Sequence, residues 1–257
     1  MLPDSERLTD DAALGGRLKL LQPRRGHRFG HDAILLAASV PARPGERTVE
    51  LGSGVGAAGL ALMARVADLH LTMIEIEPML AALAGENATR NGFGARMRVL
   101  TADASGNPVA LGLPASAADH VLMNPPFDTP GGQLSPDPLR QRAHAGSQAL
   151  LTAWLATAAW LLREGGTVTV IWRADGAEDL AKALADDFRQ LALRPVHGRA
   201  GEPPIRVIAN AIRNGTSPSQ APEMLPPLVL NDLHGRPTAE AGAVMRRAAS
   251  LARTTCG

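Results

Sequence analysis

Apolar-rich runs and helically spaced segments take turns along this chain. The runs "RTVELG" (47–52), "LHLTMIEIE" (69–77), "RMRVLTAD" (96–103), "ADHVLMN" (118–124), "TVTVIW" (167–172) and "IRVIANAIR" (205–213) predict strands. Between them, "AAGLALMARVA" (57–67), "PMLAALAGENATRNG" (78–92), "SQALLTAWLATAAWLLREGG" (147–166) and "AEDLAKALADDFRQL" (177–191) predict helices. Pro78 suits a first helical turn, Gly92 stops that helix, and Gly165-Gly166 is expected to close the long one. The apolar spacing of Trp154 and Trp160 reads most simply as core.

Strands alternating with helices imply an α/β fold with a mostly parallel, doubly wound sheet. Such sheets bind ligands beyond the carboxyl ends of their strands, where the strand order switches. The residues that follow the first four strands are therefore the informative ones.

Composition narrows the classes. In 257 residues with 45% apolar content a sizeable core can be buried. The longest apolar run, "ALLTAWLATAAWLL", is too short to span a bilayer, and "MLPDSERLTDD" lacks the pattern of a secretory signal. Cys256 is the only cysteine, which excludes internal disulfides and a cysteine-based zinc site. A cytoplasmic protein without membrane or metal partners is expected, its oligomeric state left open. The net charge of +1 points to no partner, but 12–31 holds Arg17, Lys19, Arg24, Arg25 and Arg28 and no acid. That patch suits phosphates or a solvated arginine-rich face equally.

"ELGSGVGAAGL" sets Gly52, Gly54 and Gly56 in the first strand-to-helix turn, where glycine permits positive φ and close approach of a ligand. Gly54, Gly56 and Gly59 spell G-x-G-x-x-G, and Glu75 ends the second strand where a carboxylate can accept both ribose hydroxyls. A dinucleotide and S-adenosylmethionine both fit this turn. Glu50 tips the balance, because a carboxylate there welcomes a cationic amino acid and repels a pyrophosphate. Asp103 ends the third strand, either as a helix cap or as an acceptor for an adenine amine.

The fourth strand runs into Asn124-Pro125-Pro126-Phe127. Each proline fixes φ and holds the preceding residue extended. The result is a stiff pair of acceptors, the Asn124 side-chain oxygen and the Pro125 carbonyl, with Phe127 offering a flat face for stacking. Two acceptors gripping the two N–H protons of a planar amine return its lone pair to nitrogen and stabilise charge that develops only during attack.

On these residues the chain resembles the class I S-adenosylmethionine-dependent methyltransferases that carry an N-P-P-[YF] motif. Within them it is most similar to the bacterial tRNA(1)(Val) (adenine-N6)-methyltransferase group, whose lead-in resembles "QPRRGHRFGHDAILLAA" (22–38). "ENATRNGFGARMRVLTAD", "GEPPIRVIANAIRNG" and "PPLVLNDLHGRPTAEAGAVMR" extend the similarity over most of the chain. The resemblance implies a seven-stranded Rossmann-like sheet of order 3-2-1-4-5-7-6 in one domain, 1–257. Its parts are a lead-in (1–45), a cofactor core (46–213) and a tail (214–257). It implies that Glu50, Gly52, Gly54, Gly56, Glu75 and Asp103 hold the cofactor, and that Arg28, Phe29 and Asp32 close over cofactor or substrate. Asn124, Pro125, Pro126 and Phe127 would form the amine site. An adenine of tRNA next to the anticodon would be the substrate, with Arg24, Arg25, Arg28, Arg140 and Arg142 on its phosphates. His144 reads as a loop histidine. The same tetrapeptide also serves guanine N2 of rRNA and a protein glutamine, which stay open as targets.

Overall fold

The structure, a computed structural model, describes residues 8–25, 28–126, 138–213 and 221–252, with the backbone alone described for 138–145. A hairpin leads, β1 (Leu8–Ala13) against β2 (Leu18–Pro23), in a sheet of its own. Leu18, Leu20 and Gln22 alternate inward from β2 and are buried. Helix α1 (His31–Ser39) follows, and the main sheet begins with β3 (Arg47–Leu51).

From there strands and helices alternate: α2 (Ala57–Arg65), β4 (His70–Glu75), α3 (Pro78–Arg90), β5 (Met97–Thr101), β6 (Ala118–Met123), α4 (Pro138–Leu161), β7 (Leu162–Arg173) and α5 (Ala177–Leu184). Then come β8 (Phe188–Arg199), β9 (Pro204–Arg213), β10 (Glu223–Met224), β11 (Leu228–Asn231) and α6 (Ala239–Arg247). Neighbour order across the sheet is β5-β4-β3-β6-β7-β9-β8, the expected 3-2-1-4-5-7-6. β9 runs antiparallel to both its neighbours, and β3 to β7 pair in parallel. The strand count is corrected from seven to nine, because β10 and β11 both pair with β8 at the sheet edge.

Each face of the sheet buries its own core. Leu122, Ile171 and Ile208 pack with Leu36, Leu60 and Leu62 beneath α1 and α2. Val121, Val170 and Trp172 pack with Leu155 and Leu180 beneath α4 and α5. Successive strand residues thus feed opposite cores, as the period of two requires. Among the described residues no helix is long and apolar enough to cross a membrane.

The hairpin is fastened to this frame through α3. Asn87 accepts from the Leu21 amide at 2.7 Å and donates to the Leu21 carbonyl at 2.9 Å. One turn on, Asn91 does the same for Lys19 at 3.0 and 2.7 Å. The two side-chain amides, one helical turn apart, act as a strand partner for β2's free edge, so its polar groups are not stranded.

Two expected helices end earlier than read, and the long one also begins earlier, at Pro138. The long one ends at Leu161, and Gly165-Gly166 lies inside β7. There the pairing with β6 jumps from Ala118–Leu162 to His120–Thr167. Gly165 has φ +73°, and a Cβ on Gly166 would stand 2.9 Å from the Asp119 carbonyl. The pair is a bulge, where backbone approaches backbone. The helix read to Leu191 ends at Leu184, and 188–191 begin β8.

Candidate active site

Pairing register sets the ends of the central strands level. Leu51 stands opposite Ile74 and Met123, and Glu75 opposite Thr101. The chain therefore leaves β3, β4, β5 and β6 at one edge, where the order reverses between β3 and β6. The amides of Gly52 and Ser53 both donate to the Ile74 carbonyl, turning the loop inward. Gly52, Gly54 and Gly56 all have positive φ, at +65°, +57° and +85°. A Cβ on Gly52 would lie 2.1 Å from the Trp154 ring, whereas one on Gly54 meets open space.

Three acids surround this loop. Glu75 is buried; it accepts from the Gly54 amide at 2.7 Å and the Glu77 amide at 3.0 Å. Glu50 is buried and accepts from the Gly59 amide at 2.9 Å. Burial pushes the Glu50 carboxyl up to about 8; the Glu75 charge adds to the rise and the Gly59 amide opposes it. Gly59 completes the G-x-G-x-x-G spacing because a Cβ there would stand 2.5 Å from Glu50 Oε2. Asp103 is exposed at the rim, held below the usual carboxylate range by hydrogen bonds from the Ser105 hydroxyl and amide.

Two adjoining cavities, of 190 and 610 Å³, open at this edge and share Asp32, Gly52, Gly54, Leu80 and Asn124. The smaller is walled by Glu50 and by Arg28, Phe29 and Gly30 of the lead-in. Glu75, Asp103, Pro125, Pro126, Trp154 and Arg206 line the larger. Asn124 borders both. Its Oδ1 is buried and without a hydrogen-bond partner among the described residues, as is the Trp154 indole N–H. An unsatisfied buried acceptor costs about 1–3 kcal/mol unless something supplies a proton to it. A ligand with a cationic amino acid end, a ribose and a base finds matching groups here in Glu50, Glu75 and Asp103.

Most expected residues therefore converge. Phe127 lies outside the described residues, as do the side chains of Arg140, Arg142 and His144. Arg24 and Arg25 are exposed at the end of β2. Arg28 lines the smaller cavity, pairs with Asp11 at 2.8 Å and donates to the Pro23 carbonyl. Its charge is matched within the lead-in. The Phe29 amide donates to the buried Gln22, which also holds Asp11. Asp32 is ion-paired to Arg206 at 2.8 Å. Trp154, read as core, is buried but forms cavity wall, and Trp160 is 36% exposed. Arg206 and Leu80 line the cavities without having been singled out in the sequence, and Trp154 was read only as core; an arginine inside the apolar run "IRVIANAIR" was the one visible signal.

Residues 28–194 match the methyltransferase small domain. A tRNA1(Val) (adenine(37)-N6)-methyltransferase of Dickeya chrysanthemi is 30% identical over 194 residues, 74% of each chain. A protein of the same name from Tolumonas auensis is 30% identical over 165 residues, covering 64% of this chain and 66% of that one. Among solved structures, a predicted O-methyltransferase, Atu636 of Agrobacterium tumefaciens, superposes with a TM-score of 0.73 at 28% identity over 87% of this chain and all of that one. The protein is thus an enzyme that transfers a methyl group from S-adenosylmethionine, and by its match over 28–194 the chain belongs to the methyltransferase small domain family.

Proposed function

We propose that the enzyme methylates the exocyclic N6 amine of an adenine in tRNA, next to the anticodon of tRNA(Val). The observation that carries the chemistry is the buried Asn124 Oδ1, unpartnered among the described residues, at the junction of the two cavities. Support for the substrate comes from the relatives named for adenine 37 of tRNA1(Val).

Bound S-adenosylmethionine supplies an electrophilic methyl on a sulfonium. Glu50 faces the smaller cavity and would take the cofactor's ammonium group; Glu75 would accept from the ribose and Asp103 from the adenine amine. Asn124, restrained by Pro125, would accept one amine proton of the substrate, and the Pro125 carbonyl the other. Held this way the substrate nitrogen directs its lone pair at the methyl, and the positive charge it gains is met by oxygens already in place. Because those oxygens are fixed before reaction, little reorganisation is needed at the barrier. No strong base is required, since the nitrogen becomes acidic on alkylation and loses its proton to water. An unpaired loop adenine can be turned out into such a site at modest cost. Oxygen methylation, suggested by the name of the Agrobacterium protein, has one hydroxyl proton to place and so a use for only one of the two acceptors.

Incubation with labelled cofactor and unmodified tRNA(Val), followed by nucleoside digestion, tests the reading. N6-methyladenosine is expected. Label on guanine N2 of rRNA, or on a glutamine of a protein offered in parallel, would replace it with the corresponding amine substrate.

A further inference from the structure

The lead-in covers the smaller cavity with Arg28, Phe29 and Gly30, and two sets of contacts hold that cover down. On one side Gln22 holds the Phe29 amide at 3.1 Å, and the Arg28–Asp11 pair ties the segment to β1. On the other side Asp32, in the first turn of α1, accepts from Arg206 Nε at 2.8 Å, a contact between residues 174 positions apart. Arg206 stands in β9, beyond the switch point, so this contact joins the cover to the far half of the sheet.

The pair sits where it can feel the ligands. Asp32 lines both cavities of the active site. Arg206 lines the larger of them and also a third, mostly apolar cavity of 400 Å³ between α5, β8 and β9. The side chains are about a quarter exposed, enough to be reached from the cleft and too little for solvent to screen the charges fully. Arg173, opposite Arg206 in the β7–β9 register, has its own acid in Asp175.

We propose that Asp32 and Arg206 form a latch that fixes the lead-in over the cofactor, so that Asp32 is a positioning residue acting through Arg206 and not itself a cofactor ligand. With the latch made, Phe29 and Gly30 stay across the smaller cavity from the glycine loop and the cavity keeps its shape. With the latch broken, the cover samples open positions, and the apparent affinity for the cofactor falls by the fraction of time the closed form is lost. The inference depends on the cofactor occupying these cavities and is independent of which amine is methylated.

A double-mutant cycle on the full chain tests it, read by calorimetric binding of S-adenosylhomocysteine. Asp32→Asn and Arg206→Gln are each expected to weaken binding about tenfold, and the double variant by no more than either alone, because one broken contact cannot be broken twice. Arg206→Lys, which keeps the charge, should recover binding to within about threefold of the wild type. At saturating cofactor and substrate, kcat should change by less than about twofold, which separates positioning from chemistry. Multiplication of the single effects to about a hundredfold in the double variant would overturn the latch. So would unchanged binding in all variants together with a lowered melting temperature, which is the signature of a contact that serves only the fold. Failure of the wild type to bind S-adenosylhomocysteine would remove the cofactor site and the latch with it.

Discussion

Replacing Glu50 by glutamine keeps the size of the side chain and its acceptor for the Gly59 amide, and removes only the ability to ionise. Burial raises the Glu50 carboxyl from 4.5 to about 8 in the folded chain. Each tenfold change in acidity is worth about 1.4 kcal/mol, so protonating this group on folding costs about 3 kcal/mol at pH 7, and burying it ionised costs up to about 5 kcal/mol above pH 8. The folded value lies above the unfolded one. The contribution of the neutral carboxyl is therefore fully present below pH 4.5 and is lost as the pH rises through about 8. Urea unfolding between pH 5.5 and pH 8.5 should show the wild type losing roughly 3 kcal/mol more than Glu50→Gln. Binding should reverse the ranking. The ammonium of S-adenosylhomocysteine favours the ionised carboxylate, so at pH 7 the wild type should expel close to one proton on binding and the variant none. Calorimetry in buffers of different ionisation heat reads that proton directly, and the variant should bind about tenfold more weakly. Identical pH–stability curves for the two proteins, with equal proton release, would refute the reasoning.

Gly52→Ala should be far more damaging than Gly54→Ala, since its Cβ would strike the Trp154 ring while that of Gly54 enters open space. Both alanines carry the strain of a left-handed backbone, so thermal unfolding should show about 1 kcal/mol lost for Gly54→Ala and about 1–3 kcal/mol more for Gly52→Ala, with S-adenosylhomocysteine affinity in calorimetry falling for Gly54→Ala as well. Asn87→Ala strips β2 of an acceptor and a donor and also frees the Val55 carbonyl. Denaturant unfolding should record a loss of about 2–4 kcal/mol, and proteolysis should cut the hairpin first.

The central strands were legible because parallel strands buried on both faces read as unbroken apolar runs, each ended by a residue that breaks the pattern: Gly52, Glu75, Asp103 or Asn124. β8 was not legible. Leu180, Leu184, Phe188 and Leu191 keep helical spacing straight through the end of α5, so the local pattern favoured more helix. The strand wins because β9 offers Phe188 and its neighbours a partner, at the expense of a bulge at Gln190 with φ +54°. Gly165-Gly166 misled for a related reason, since a helix stop and a bulge ask for the same residue. In the site, the loop glycines and the acids could be found from local order. Asp32–Arg206 and the Asn87 and Asn91 clamp could not, because each joins segments more than 60 residues apart and no local periodicity encodes such a contact. Trp154 has the spacing of a core residue and is buried like one; only its place over Gly52 makes it cavity wall.

The role given to Asn124 is tested most directly by single-turnover methyl transfer in Asn124→Ala, with S-adenosylhomocysteine affinity measured on the same preparation. Loss of an acceptor that acts on developing charge should slow transfer by about 10²–10³-fold at saturating cofactor and RNA, while the dissociation constant stays within about threefold of the wild type. Transfer at the wild-type rate, or a fall in affinity as large as the fall in rate, would contradict it.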